Sequence, residues 1–145
     1  MKKLLALILA AALALSLVAC GGGGGAGDTN TPSEDINPND IAIGTWKGEF
    51  DSSKGQHIIW VLEIYKGGTG RLERYISDGQ GSADSKYNNN TPNTSLPGTW
   101  EVSDGALNFT EESLTGSSPL GFDFDIEQET LTSFGIDGLV LTKVS

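Results

Sequence analysis

From Ile43 to the end of the chain, apolar and polar residues alternate with a period of two, and no stretch of useful length repeats with a helical period. Trp46, Gly48 and Phe50 alternate with Thr45, Lys47 and Glu49, which predicts a strand with one apolar and one wet face. His57 to Tyr65 carries Ile58, Trp60, Leu62 and Ile64 on one side. Its other side mixes Ile59 and Val61 with His57 and Glu63, so that face is expected to be only partly exposed. Lys66-Gly67-Gly68 turns the chain, and Thr69 to Ile76 returns with Leu72 and Ile76 as apolar members and Arg71, Glu73 and Arg74 as charged ones.

Ser77 to Pro97 is a long polar segment, and a loop of that length inside a compact domain is usually either functional or disordered. Beyond it come Trp100 and Val102, a turn at Asp104-Gly105, Leu107 and Phe109, and a second polar loop through Gly116-Ser117-Ser118-Pro119. Phe122, Phe124 and Ile126 then alternate with Asp123, Asp125 and Glu127. Thr130 to Phe134, a turn at Asp137-Gly138 and Leu139 to Val144 complete the chain. The pattern predicts an all-β domain of about eight short antiparallel strands, in a sandwich or an up-and-down barrel. In a barrel, Trp46, Phe50, Trp60, Trp100, Phe109, Phe122 and Phe124 would all point inward. Each aromatic side chain buries about 150 to 250 Å², so the reading favours a filled interior, with any ligand site at the mouth near the 77–97 loop.

The first forty residues are of another kind. Met1-Lys2-Lys3 precedes fifteen residues, Leu4 to Val18, of which only Ser16 is polar; this is the charged and apolar sequence of an export signal. The apolar run falls short of the about 20 residues that span a bilayer. Leu17-Val18-Ala19-Cys20 resembles the lipobox of bacterial lipoprotein signal peptides. The resemblance implies a signal peptide over 1–19, cleavage after Ala19, diacylglycerol on the Cys20 thiol and a palmitate-type anchor in the membrane, facing out of the cytoplasm. Cys20 is the single cysteine, so no intramolecular disulfide can form. Residues 20–40, rich in Gly, Asn, Pro and Thr, are expected to be a flexible tether with a reach of roughly 25 Å, and 41–145 a single domain.

Charge narrows the partners. Losing Lys2 and Lys3 with the leader takes nine basic residues to seven against nineteen acidic ones, a formal charge of −12 in place of −10. Phosphate backbones do not attract such a surface, so nucleic acid is excluded as a partner. Catalytic material is scarce. His57 is the single histidine, no nucleophile with a nearby base can be read from spacing, and the thiol is assigned to acylation; no enzyme, cofactor or metal is expected. Asp123, Asp125 and Glu127 are carboxylates along one strand face. They are read as a solvated face or a surface for a cationic partner in preference to a calcium site.

Gly44-Thr45-Trp46 is echoed by Gly98-Thr99-Trp100. Gly-x-Trp at the start of the first strand resembles the lipocalin signature, and Trp100 to Phe109 and Asp137 to Lys143 look like the later segments of short lipocalin-like domains on bacterial lipoproteins. The resemblance covers roughly residues 41–145 and implies an eight-stranded up-and-down barrel. Where lipocalins place a late Arg against the signature Trp, this chain has Lys143. The expected function is a lipid-anchored, non-catalytic binding module of the cell envelope. One form holds a small apolar ligand at the mouth with Trp60, Tyr75, Tyr87 and Trp100; the alternative binds a cationic envelope protein through Asp123, Asp125 and Glu127. Changing Cys20 to Ala is expected to abolish metabolic labelling by palmitate and release the protein from the membrane; labelling that persists in the variant contradicts the lipoprotein reading.

Overall fold

The computed structural model describes residues 37–145; the leader, Cys20 and most of the 20–40 segment lie outside the described residues. A short helix α1 (Pro38–Ala42) leads into eight strands: β1 (Gly44–Asp51), β2 (His57–Tyr65), β3 (Thr69–Ile76), β4 (Thr94–Ser103), β5 (Ala106–Ser113), β6 (Gly116–Asp125), β7 (Thr130–Ser133) and β8 (Val140–Lys143). A second helix, α2 (Ala83–Asn88), lies between β3 and β4. Every strand pairs antiparallel with the next and β8 pairs back to β1, so the sheet is a closed up-and-down barrel. The pairing of β1 with β2 matches Trp46 to Leu62, Gly48 to Trp60 and Phe50 to Ile58, which puts the predicted apolar positions of both strands on one face.

Three local features differ from the sequence pattern. Pro38 to Asp40, expected as tether, are helical: Asn37 caps α1 by accepting from the Asn39 N–H at 3.1 Å, and Pro38 stands where a missing N–H costs nothing. Gly116 to Pro119, expected as a loop, are strand, paired in register with Thr110 to Ser113; the turn is the shorter Leu114-Thr115, and backbone pairing has overridden a polar composition. The segment expected as a loop over 77–97 contains α2, capped by Ser82, whose hydroxyl accepts from Ser85 N–H at 3.0 Å. Its last four residues, Thr94 to Pro97, are the start of β4, paired with Arg71 to Arg74.

The interior is apolar and filled. Trp46, Leu62, Phe109, Leu107, Leu131 and Leu141 are fully buried, and Trp46 and Phe124 meet edge to face at 5.7 Å. Phe50 and Trp100 pack against this core from its margins. Gly98 makes room for Phe109, because a Cβ there would overlap the ring and the Thr110 carbonyl oxygen. The lower end of the barrel holds α1. There the Trp46 indole N–H donates to the Ala42 carbonyl at 2.8 Å, and Lys143 donates to the Ile41 carbonyl at 2.6 Å with its ammonium 5.5 Å from the Trp46 ring centre.

The outward apolar residues of β2 are accounted for by α2. Ile59, Val61, Tyr75 and Ala83 form a second buried cluster, with Tyr87 packed on it. The loop is tied down at Asp78, which accepts from Lys86 at 2.7 Å, Asn93 at 2.9 Å and the Gln80 N–H at 3.1 Å. Above all the Lys86 hydrogen bond, then that of the Gln80 backbone, holds the Asp78 carboxyl below its ordinary range. A lowered folded value means that this stabilisation is present above the unfolded value, about 3.9, and is lost as pH falls through the lower folded one. Hydrogen exchange at residues 83–90 is expected to quicken in that acid window before the barrel strands open. Exchange there that tracks the barrel at every pH contradicts the Asp78 tie.

Candidate functional site

The upper end of the barrel breaks the rule that its inward positions are apolar. In β3, Leu72, Arg74 and Ile76 share the inward face, so Arg74 turns into the barrel, opposite Trp60 on one neighbouring strand and Thr94 on the other. In β5 the same face carries Leu107, Phe109 and Glu111, with Glu111 opposite Gly98 and Ser118. The two charged groups meet across the mouth, the Arg74 guanidinium donating to the Glu111 carboxylate at 2.5 Å, with side chains only 20% and 14% exposed. The guanidinium lies 4.7 Å from the Trp60 ring centre, and Trp60 meets Phe50 edge to face at 6.4 Å. A row Phe50–Trp60–Arg74–Glu111 therefore crosses the mouth, apolar at one end and charged at the other. Beside Phe50 a cavity of 520 Å³ opens between the β1–β2 and β7–β8 loops, floored by Phe50 and Ile136 and rimmed by Asp51 and Asp137.

Of the four aromatic residues assigned to a ligand, Trp60 lies in this row. Trp100 is also inward but near the opposite end, where its indole N–H donates to the Tyr65 carbonyl at 2.9 Å. Tyr75 and Tyr87 are outside the barrel wall, where Tyr87 of α2 meets Tyr75 of β3 edge to face at 5.3 Å. Burial and then a 2.6 Å hydrogen bond to Glu73 push the Tyr75 hydroxyl well above its ordinary range, so it stays neutral. The four do not line one pocket: Tyr75 stands one position beyond Arg74, and in a strand one position is the other face. Sequence reasoning missed Arg74 and Glu111. The signal was there, because Arg74 alternates with Leu72 and Ile76 and Glu111 with Leu107 and Phe109.

Of the carboxylates assigned to a partner, Asp123 and Asp125 share the outer face of β6, and Glu127 lies in the turn that follows. Asp123 is exposed on the outer face of β6. Asp125 uses a side-chain oxygen to accept from the Gln128 N–H at 3.0 Å, stabilising the turn that contains Glu127. His57, at the start of β2, points outward, its Nδ1 3.1 Å from Asp51 and its Nε2 3.9 Å from Glu49.

A charge pair turned into an apolar barrel is not an efficient stabiliser, since losing hydration offsets most of the Coulomb attraction. Removing one partner strands the other. Arg74→Met or Glu111→Leu alone is expected to destabilise the fold by about 1–3 kcal/mol, less than for a fully buried pair, while the double change recovers most of the loss. Urea unfolding of the four proteins checks this, and additive losses would show that the two side chains act independently. Compared with known proteins, the chain matches no family model, no curated protein and no solved structure.

Proposed function

We propose that this chain is a lipid-anchored, extracytoplasmic binding module without catalytic activity, of lipocalin-like type, that holds a small and mainly apolar molecule at the barrel mouth. The observation that carries the reading is the inward Arg74–Glu111 pair laid against Trp60. Such a pair contributes little to folding, yet it supplies one polar anchor at the edge of an aromatic surface, the combination that fixes a ligand's orientation. An apolar body seated on Phe50 and Trp60 would bring its own acceptor to Arg74 in competition with Glu111. The filled lower barrel confines such a molecule to the upper end. Support for the family comes from Lys143, which meets the Gly-x-Trp tryptophan from the end of the last strand.

A second reading has its own observation. Of the seven basic side chains after residue 36, Lys47, Arg71, Arg74, Lys86 and Lys143 are each engaged by a carboxylate. Asp123 and Glu127 have no such ion-pair partner among the described residues, which leaves an acidic outer surface for a cationic envelope protein.

Tryptophan fluorescence of the full chain, titrated with a long-chain fatty acid and with the matching alcohol, tests the first reading. The acid is expected to bind at least about tenfold more tightly, a difference near 1.4 kcal/mol, and Arg74→Met to abolish that preference. Equal binding of acid and alcohol to the unaltered protein, or no binding of either, contradicts it. Association with a basic protein that weakens steeply with added salt and with Asp123→Asn would support the second reading instead.

A further inference from the structure

Outside the barrel wall, β1, β2 and α2 bring together a cluster that the mouth does not involve. Glu49 is on β1, His57 begins β2 and Asp84 lies in the first turn of α2, and one ligand atom from each lies within 4.8 Å of the others. The three come from three elements: Glu49 and His57 from the two strands of one hairpin, and Asp84 from a helix 27 residues after His57. Their convergence requires the pairing of β1 with β2, which sets Asp51 opposite His57 and Glu49 opposite Ile59, and the folding of α2 back over β2.

We propose that Glu49, His57 and Asp84 form a binding site for a divalent cation of the zinc type, with Asp51 orienting the imidazole. The donor set is mixed: one imidazole nitrogen and two carboxylate oxygens suit a borderline cation, whereas a hard cation such as calcium collects oxygens alone. Orientation is supplied by Asp51. Its carboxylate is 3.1 Å from Nδ1, so the neutral ring carries its proton there and leaves the Nε2 lone pair on the side of Glu49, 3.9 Å away. A carboxylate behind the ligating histidine is the arrangement that fixes the tautomer at zinc sites.

Electrostatics favours a cation at this point. Three carboxylates, those of Glu49, Asp51 and Asp84, surround the imidazole, and the nearby Lys47 ammonium is shared: it is 4.0 Å from Glu49 and 4.7 Å from the Tyr87 ring centre. In a tetrahedral zinc site with bonds of about 2.0–2.1 Å the ligand atoms stand roughly 3.3 Å apart. Glu49 and Asp84 are exposed and free to close that gap by side-chain rotation. Three protein ligands leave the fourth position to water. The site also joins α2 to the barrel, so a bound cation would fasten the helix to the wall in addition to the Asp78 tie.

The test is a titration of the chelator-treated full chain, in detergent micelles and in excess Mg²⁺, with Zn²⁺ alone as the probe. Equilibrium dialysis reads the stoichiometry, and the ¹⁵N shifts of the imidazole, unambiguous because the chain has a single histidine, read the ligand. One zinc per chain is expected, with the large shift at Nε2. Asp84→Asn, an exposed position whose change leaves the core intact, is expected to weaken binding at least about tenfold. Asp51→Asn should weaken it by about 10- to 100-fold, as for other partners of a ligating histidine; Asp123→Asn should change nothing. Binding that is unaltered in Asp84→Asn, that leaves Nε2 unmoved, or that fails to saturate at one equivalent overturns the proposal.

Discussion

The constraint on which the structure depends is the closure of the sheet between β1 and β8. That seam is short: Trp46 pairs with Lys143 and Lys47 with Thr142, extended by the backbone bonds of Thr45 and Val144. A closed sheet gives every strand a neighbour on both sides, and every inward side chain shares one small volume. Trp46 anchors the seam from within, its indole N–H held by the Ala42 carbonyl and its ring face met by Lys143. The same lysine reaches the Ile41 carbonyl, so one cation joins the last strand, the first strand's tryptophan and the helix at the lower end.

Closure also makes the upper end unusual. In an open sheet, a charged residue on the apolar face near a strand end can turn to water. Here Arg74 and Glu111 face one another across the mouth, and each supplies what the other has lost in hydration. Trp60 lies beneath the guanidinium and Phe50 beside Trp60, so the apolar interior grades into the charged pair over the width of the barrel. A prearranged aromatic surface and one exchangeable ion pair at this end are what support the proposal of a binding site at the mouth.

The outer wall has a separate organisation. Ile59, Val61 and Tyr75 would leave an apolar patch on β2 and β3, and α2 covers it. The helix is held by packing below and by Asp78 at its flank, which brings Asp84 over the end of β2. One short helix thereby serves the stability of the wall and also completes a three-ligand cluster whose other members are on strands.

How much of this was legible in the sequence depends on the range of the interaction. Period-two alternation is local, and it placed β2 and β3 at their observed boundaries and identified the inward aromatic residues, because a side chain's face in a strand follows from its position alone. Turn chemistry was equally readable at Asp104-Gly105, where both residues adopt positive φ. The sequence alone thus determined most of the strands and their faces and, with the Gly-x-Trp resemblance, the expectation of a barrel. Gly116 to Pro119 and Thr94 to Pro97 are polar runs that became strand through pairing with β5 and β3. Only the tertiary structure decided which faces meet. Tyr75 and Arg74 are adjacent in sequence and end on opposite sides of the wall. Glu111 finds Arg74 past the intervening β4, and Glu49, His57 and Asp84 converge because a helix folds back. Such pairings depend on closure and register, which belong to the whole sheet and to no single segment of it.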